Sequence, residues 1–371
     1  MMKVNKENWE FKSFLSCIEK VPKPKQLTTS DYKKSGAIPI VSQDAKLITG
    51  YTNHEELKNK FDKPVIVFGD HTRVLKYIDF DFVVGADGVK IIIPKGNLLT
   101  KFLYYFLVWH KIPNLGYARH FKLLKDIMIP IPPINTQNYF ISLFDKYQDL
   151  IFLKQKQLKE FDSLEQSVFY KMFQNDEKIL TKKLVDIAEV GSSRRVFASE
   201  FVSEGVPFYR GTEISMLSIG QKFRPTLYIT SQRYEELIKV KGKPVIGDLL
   251  LPSICNDGKI WVVNTDNPFY IKDGRVLWIH PKDKAITDSF YLKYVIKFYL
   301  INNFHKLASG TTFAEMKIFN LKKIPVPLPS LSLQQSFAQK IEVIEKQKEV
   351  VKNEIAQLQA LLDSEMDKYF G

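Results

Sequence analysis

The sequence predicts an α+β protein in which two mixed α/β domains, related by a pseudo-two-fold repeat, are separated by two long antiparallel coiled-coil helices. Three observations lead to this fold class. A proline-rich segment occurs twice, KDIMIPIPPINTQ at 125–137 and LKKIPVPLPSLSLQQ at 321–335. A long proline-free amphipathic stretch follows each copy, and the positive net charge of the chain lies outside these stretches.

The repeat keeps one constant offset. Placing Pro132 on Pro329 and reading forward without a gap pairs Gln137 with Gln334, and the offset stays at 197 for 42 residues. A period near half of the chain length indicates duplicated domains, since solenoid repeats are far shorter. The predicted divisions are a first domain over 1–133, a helix over 134–176, a second domain over 177–329 and a helix over 330–371, with a polar linker at 174–182.

Both proline-free stretches have the apolar spacing of a coiled-coil seam. In the second, apolar residues recur every three or four positions over 341–369, interrupted by Lys348 and Glu365; the seam of the first is interrupted by Lys154 and Glu165. A lone helix cannot bury such a stripe, so we predict that the two helices pack antiparallel on each other. The alternative is that each helix docks only on its own domain.

The proline runs have a predicted role as joints. Proline lacks an N–H group and disfavours helix in the preceding residue, so each run should be extended, end its domain and direct the following helix. An edge strand or a proline-rich ligand segment is the alternative. Short apolar runs predict strands at 64–68, 89–93, 244–251 and 259–263, and longer ones predict helices at 101–111 and 289–304.

The positive charge belongs to the two predicted domains. Residues 145–173 are neutral and residues 338–371 carry −2, so the rest of the chain carries +15 and the whole chain +13. This charge favours a polyanionic partner such as nucleic acid, although solubility or ribosomal association would give the same value. The two cysteines form no zinc motif, and no apolar run approaches the roughly 18 residues of a membrane span, so we expect a soluble, cytoplasmic protein.

Motifs for catalysis are weak or missing. The sequence contains neither a GxxxxGK[ST] loop nor a strand followed by GxGxxG. DNPFY at 266–270 has one proline where the loop of amino-methyltransferases has two, and EMK at 315–317 is only half of a nuclease signature. We therefore predict a binding protein with no catalytic residue and no metal site.

Candidate nucleic-acid contacts lie in predicted loops that combine basic, aromatic and hydrogen-bonding side chains. Such residue types read base edges and bind phosphates. The candidates are Gln43, Lys46, Arg73, Arg119 and His120 in the first domain, and Ser193, Arg194, Arg195, Arg210, Asn256, Lys259, Thr311 and Thr312 in the second.

The plan and several motifs resemble the specificity (S) subunits of type I restriction-modification systems. The motifs are IPIPPINTQ and IPVPLPSLSLQQ at the joints, YARHF and SGTTF before them, and SQDAKLITGYTN and PFYRGTEIS early in each half. The resemblance covers nearly the whole chain. It departs from the family at Ser330, where a further proline is usual, and in the somewhat compact length of the chain.

The resemblance implies a division of labour between subunits. Each domain would be a target recognition domain reading one half of a bipartite, asymmetric DNA site, and the helices would act as a ruler. Modification (methyltransferase) subunits would supply S-adenosylmethionine and methyl transfer to adenine. Restriction (endonuclease/translocase) subunits, driven by ATP with Mg, would cleave, so no cofactor is expected in this chain.

Other functions stay open at this point. The chain could be a fused methyltransferase or nuclease, a non-enzymatic coiled-coil adaptor, or the specificity subunit of a related methyltransferase-nuclease system.

The length of the helices limits the distance between the two half-sites. About 30 helical residues span roughly 45 Å, or at most about 13 base pairs at about 3.4 Å each. Inserting four residues after Phe161 should then lengthen the unread gap and leave both half-sites unchanged.

Overall fold

The computed structural model describes residues 6–371 apart from 8, 87, 117, 174–178, 255–256 and 310–314, and only the backbone of 304–309. The chain forms two compact units. Unit 1 comprises Met1–Gln157 with Val351–Gly371, and unit 2 comprises Leu158–Val350. Each unit therefore contains part of each long helix. No helix in the described part of the chain is long and apolar enough to cross a membrane.

Unit 1 is built of small sheets and short helices. Strand β4 pairs antiparallel with β5 and β7, and β2 pairs antiparallel with β3 and parallel with β6. The predicted strands at 64–68 and 89–93 and the helix at 101–111 are confirmed. The elements are β1 Glu10–Ser13, α1 Phe14–Cys17, β2 Ile38–Val41, β3 Gly50–Thr52, β4 Val65–Gly69, β5 Leu75–Ile78, β6 Val83–Val84, β7 Val89–Ile92, α2 Thr100–Trp109, α3 Phe121–Leu124, β8 Met128–Ile131 and α4 Ile134–Phe173.

Unit 2 has two four-stranded sheets. They have the strand orders β10-β17-β14-β15 and β11-β13-β12-β16. The elements are β9 Leu180–Lys183, α5 Leu184–Ile187, β10 Ala188–Gly191, β11 Phe201–Val202, β12 Val206–Tyr209, α6 Gly211–Ser218, β13 Tyr228–Ile229, α7 Ser231–Lys241, β14 Leu249–Pro252, β15 Trp261–Val262, β16 Tyr270–Ile271, β17 Val276–Pro281, α8 Ser289–Leu307, β18 Ala308–Ser309, β19 Glu315–Met316, α9 Ile318–Leu321, β20 Pro325–Leu328 and α10 Leu331–Phe370.

The strand predicted over 244–251 is wrong in its first half. Gly247 has a φ of +94°, and the backbone N–H of Asp248 donates to the carbonyl of Val245 at 2.9 Å. The Asp248 carboxylate also accepts the Val245 N–H at 3.0 Å. These bonds close a turn, which glycine permits because it lacks a Cβ. The strand therefore begins only at Leu249.

Both proline runs are extended, as predicted, and both form strands. β8 pairs antiparallel with β1, and β20 pairs antiparallel with β9. The backbone nitrogens of residues at alternate positions face the same side of a strand. When that side is turned away from the partner strand, the N–H groups that proline lacks are not needed for pairing. The edge-strand alternative is therefore correct alongside the joint. Because β9 occupies 180–183, the linker predicted over 174–182 is shorter than expected.

A buried glutamine fixes each joint to its domain. The Gln137 side chain accepts the N–H of Leu99 at 2.8 Å and donates to the carbonyls of Asn97 and Pro132 at 3.0 and 2.9 Å. Leu99 directly precedes α2, so this side chain ties the start of α2 to the joint.

The repeat-related Gln334 makes the same set of bonds in unit 2. It accepts the N–H of Asp288 at 2.9 Å and donates to the carbonyls of Ile286 and Pro329 at 2.9 and 3.0 Å. Asp288 directly precedes α8. The repeated glutamine therefore reflects a duplicated tertiary contact.

Replacing Gln334 by Ala is expected to lower the free energy of unfolding by about 1–3 kcal/mol, because buried backbone groups lose their partners. Urea denaturation would measure the loss. Gln335→Ala is the matched control, since the neighbouring glutamine is exposed, and it should change stability little. Equal losses in the two variants would contradict this role.

The long helices α4 and α10 pack antiparallel, as predicted. In unit 1 the start of α4 contacts the end of α10, where the ring centroids of Phe140 and Tyr369 are separated by 4.3 Å. In unit 2 the end of α4 meets the start of α10, with the rings of Phe169 and Phe337 5.8 Å apart. Both helices also join the core of each unit. Docking of each helix on its own domain alone is therefore excluded.

Candidate nucleic-acid interface

In unit 1 an aspartate that directly follows β4, Asp70, forms hydrogen bonds to the loop that precedes α3. The carbonyl of Asp70 accepts the backbone N–H of His120 at 2.8 Å and lies 3.0 Å from its ring Nδ1. The Asp70 carboxylate accepts the N–H of Phe121 at 2.8 Å. The His120 ring is fully buried, and its Nε2 accepts the N–H of Leu115 at 3.0 Å. His120 therefore holds the loop in place, and its ring is not available to a base in this structure.

Gln43 and Arg73 connect neighbouring loops in the same unit. The side-chain oxygen of Gln43 accepts the N–H of His71 at 3.3 Å, and its carbonyl accepts the Thr72 hydroxyl at 2.6 Å. A guanidinium nitrogen of Arg73 donates to the carbonyl of Ile112 at 3.1 Å. Both candidate side chains are only partly exposed.

A buried lysine supports the loop that carries Lys46. The ammonium group of Lys76, 5% exposed on β5, donates to the carbonyls of Ser42, at 2.8 Å, and Lys46. Burial lowers the pKa of Lys76, and the Asp44 carboxylate offsets this only in part. The Lys46 side chain itself is exposed, as is that of Arg119. Sequence analysis did not single out Lys76, because a lysine normally indicates a solvent-facing position.

In unit 2 the loop that follows β10 has a firmly held backbone. The Ser192 hydroxyl donates to the carbonyl of Val276 at 2.6 Å, and the Ser193 hydroxyl donates to the carbonyl of Ile271. The N–H of Arg194 donates to the Tyr270 hydroxyl at 3.0 Å. Sequence analysis missed Tyr270, since no local pattern relates it to a loop 76 residues away.

The same loop presents cationic and aromatic side chains to solvent. Arg194 is exposed, and the Arg195 side chain is 69% exposed although it lies 3.4 Å from Asp273. Phe197 is 60% exposed, while its N–H donates to Glu200 at 2.6 Å. An ordered backbone that leaves such side chains outward is preorganised to bind a partner.

The remaining candidates of unit 2 are engaged or not described. The Arg210 side chain makes two hydrogen bonds to the buried Glu213, at 2.6 and 3.2 Å, and the Arg210 backbone N–H makes a third at 2.8 Å. Burial raises the pKa of Glu213, but hydrogen bonds from Arg210 outweigh it and leave the pKa below its usual value. Lys259 forms an ion pair with Asp257 at 2.9 Å. Asn256, Thr311 and Thr312 lie outside the described residues. All of the candidate contacts stay predictions.

Fold and loops together define a class: a duplicated α+β protein with an antiparallel helix pair, whose domains present basic side chains suited to a polyanion. The model of the family "Type I restriction modification DNA specificity domain" matches residues 6–161 and again 177–360. The chain belongs to this family, and it is the DNA specificity subunit of a type I restriction-modification system.

Curated relatives carry the same assignment, and solved structures share the fold. A Haemophilus influenzae protein described as the type I restriction enzyme specificity subunit S.HindORF215P is 26% identical over 333 residues, which is 82% of this chain and 79% of the relative. The crystal structure of a type I S subunit from M. genitalium has a similar fold, with a TM-score of 0.55 at 16% identity over 100% of this chain and 98% of that one. A second solved structure, from work on complex assembly and conformational transition of the type I R-M system, also has a similar fold. Its TM-score is 0.57 at 16% identity, over 100% of this chain and 99% of that one.

Proposed function

We propose that this specificity subunit reads a bipartite, asymmetric DNA site, with one half-site for each basic domain. The observation that carries the proposal is the loop after β10, where a pinned backbone exposes Arg194, Arg195 and Phe197. Arginine binds phosphates and guanine edges, and an exposed phenylalanine can contact a thymine methyl group or wedge between bases. The two domains differ in sequence, so their half-sites should differ.

In unit 1 the proposed DNA face consists of the loops that carry Lys46 and Arg119. Both side chains are exposed, and the backbones beneath them are held by Lys76 and by the pair of Asp70 and His120. Gln43 and Arg73 would mainly position these loops. This division resembles that in unit 2, where Ser193 holds the loop and the arginines after it face outward.

The partners of the proposal are double-stranded DNA, modification subunits and restriction subunits. Helix α4 exposes Leu150, Phe152 and Leu153 by 46, 65 and 57% within unit 1. An apolar face of this kind is suited to packing against helices of another subunit. We propose that modification subunits cover it.

We further propose that the chain is not catalytic. Its sequence lacks the cofactor and target-base motifs of methyltransferases, so S-adenosylmethionine, ATP and Mg would all bind to the partner subunits. The chain would select the site, and the partners would carry out methyl transfer and cleavage.

The test compares methyl transfer by the purified chain with transfer by its complex with the modification subunit. We expect the chain alone to transfer no labelled methyl group from S-adenosylmethionine to DNA and the complex to do so. The same preparations should shift duplex DNA in a gel, with an affinity that falls as salt rises. Transfer by the chain alone would refute the non-catalytic role, and a failure of the complex to bind DNA would refute the reading role.

A further inference from the structure

One position in the helix seam of unit 2 is ionic and almost completely buried. The Glu165 carboxylate on α4 is 1% exposed and lies 3.1 Å from the ammonium group of Lys348 on α10. It is also 3.2 Å from Lys297 of α8, which pairs with Glu345 at 2.9 Å. Asp162 completes the cluster, 2.7 Å from Lys348. Buried charges are tolerated when paired in this way, and removal of one partner is strongly destabilising.

The equivalent position in unit 1 is aliphatic. The repeat offset of 197 relates Glu165 to Leu362 and Lys348 to Ile151. Leu362 is 1% and Ile151 6% exposed, and both belong to the core of unit 1. The duplicated seam is therefore asymmetric at the one place where it is most deeply buried and charged.

This asymmetry distinguishes correct from incorrect helix pairing. If α4 packed antiparallel on α4 of a second copy, the repeat would place Glu165 opposite Ile151. If α10 packed on a second α10, Lys348 would face Leu362. Either arrangement buries a charge without its partner on the facing helix, whereas pairing of α4 with α10 satisfies both positions at once.

A second ion pair between α4 and α10 also lacks a charged counterpart at the repeat-related positions. In unit 1 Lys154 of α4 and Glu354 of α10 are 2.7 Å apart. The offset relates Lys154 to Val351 and Glu354 to Gln157, both uncharged. Pairing of like helices would leave Lys154 facing a glutamine. This pair is about one-third exposed and should contribute less.

We infer that the charged seam positions, above all Glu165 and Lys348, specify pairing of α4 with α10 within one chain and oppose like-with-like pairing with a second copy. A single buried polar position can fix partner and register in coiled coils in this way. The inference concerns which helices of the duplicated chain pair with each other, and it does not depend on DNA reading.

The test makes the two halves of the seam equivalent in two opposite ways in the full-length chain. Glu165→Leu with Lys348→Ile gives both units an aliphatic pair. Ile151→Lys with Leu362→Glu gives both units an ionic pair, so that α4 becomes complementary to α4 and α10 to α10. Each variant and the unaltered chain are refolded from urea over a wide range of concentration, and dimers are measured by light scattering after chromatography.

Both symmetric variants are expected to form several-fold more dimer than the unaltered chain, increasingly with concentration. The control is Glu342→Gln with Lys346→Gln, which removes an exposed ion pair from α10 and should leave the dimer fraction unchanged. Circular dichroism checks that each variant is folded; should the ionic variant fail to fold, the aliphatic variant decides alone. The inference would be overturned if the dimer fraction did not increase in the folded variants, or if it increased equally in the control. It would also be overturned if both symmetric variants folded and only the aliphatic one formed more dimer.

Discussion

Replacing Arg194 and Arg195 together by Ala is expected to remove most of the specific DNA affinity of the complex and leave the fold intact. Both side chains are exposed, and the contact of Arg195 with Asp273 is a surface ion pair of small energetic value. A lost base contact should cost about 1–3 kcal/mol. Each lost phosphate contact should reduce the salt dependence of binding by about one unit of slope.

The measurement is a titration of site-containing duplex with the complex of this chain and the modification subunit, at several salt concentrations. Lys340→Ala with Lys346→Ala on α10 removes the same charge from an exposed helix surface outside the proposed DNA face. It should weaken binding much less. If the arginine variant kept its affinity, salt slope and methylated motif, the loop after β10 would not lie on DNA.

A matched insertion of four residues in both long helices, after Phe161 in α4 and after Val350 in α10, is expected to lengthen the unread gap without changing either half-site. Four helical residues add about 6 Å, which corresponds to roughly two base pairs at about 3.4 Å. The residues proposed to read DNA lie in loops away from both insertion points, so the bases that they recognise should be unchanged.

Both helices must be extended because ion pairs link them on either side of the insertion points. Lys154 pairs with Glu354 in unit 1, and Asp162 pairs with Lys348 in unit 2. The insertion in α4 alone, which the sequence suggested, would displace one of these contacts by a turn and should lower the melting temperature. Methylome sequencing of cells that carry each variant gives the outcome. Altered half-site bases with an unchanged gap would mean that the helices are not the spacer.

The candidate site could be predicted only in outline. Composition located the basic loops, because clusters of glycine, serine and arginine are local features. Exposure could not be predicted: Arg194 faces solvent, whereas Arg210 is bound to Glu213. The spacing of Arg210 and Glu213 by three residues was an available signal for that pair. His120 carried no such signal, since its partner Asp70 is 50 residues away.

For the fold, the sequence alone determined the duplication, the two long helices, their antiparallel pairing and the extended proline joints. Each of these follows from a pattern that can be read along the chain: a constant repeat offset, the apolar spacing of a helix, or a proline and the residue before it. Only the tertiary structure decided that the joints pair with β1 and β9, that Gln137 and Gln334 tie them to their domains, and that Glu165 meets Lys348. These contacts join residues far apart in the chain, and their free energy depends on burial and on satisfied partners, which no local pattern records.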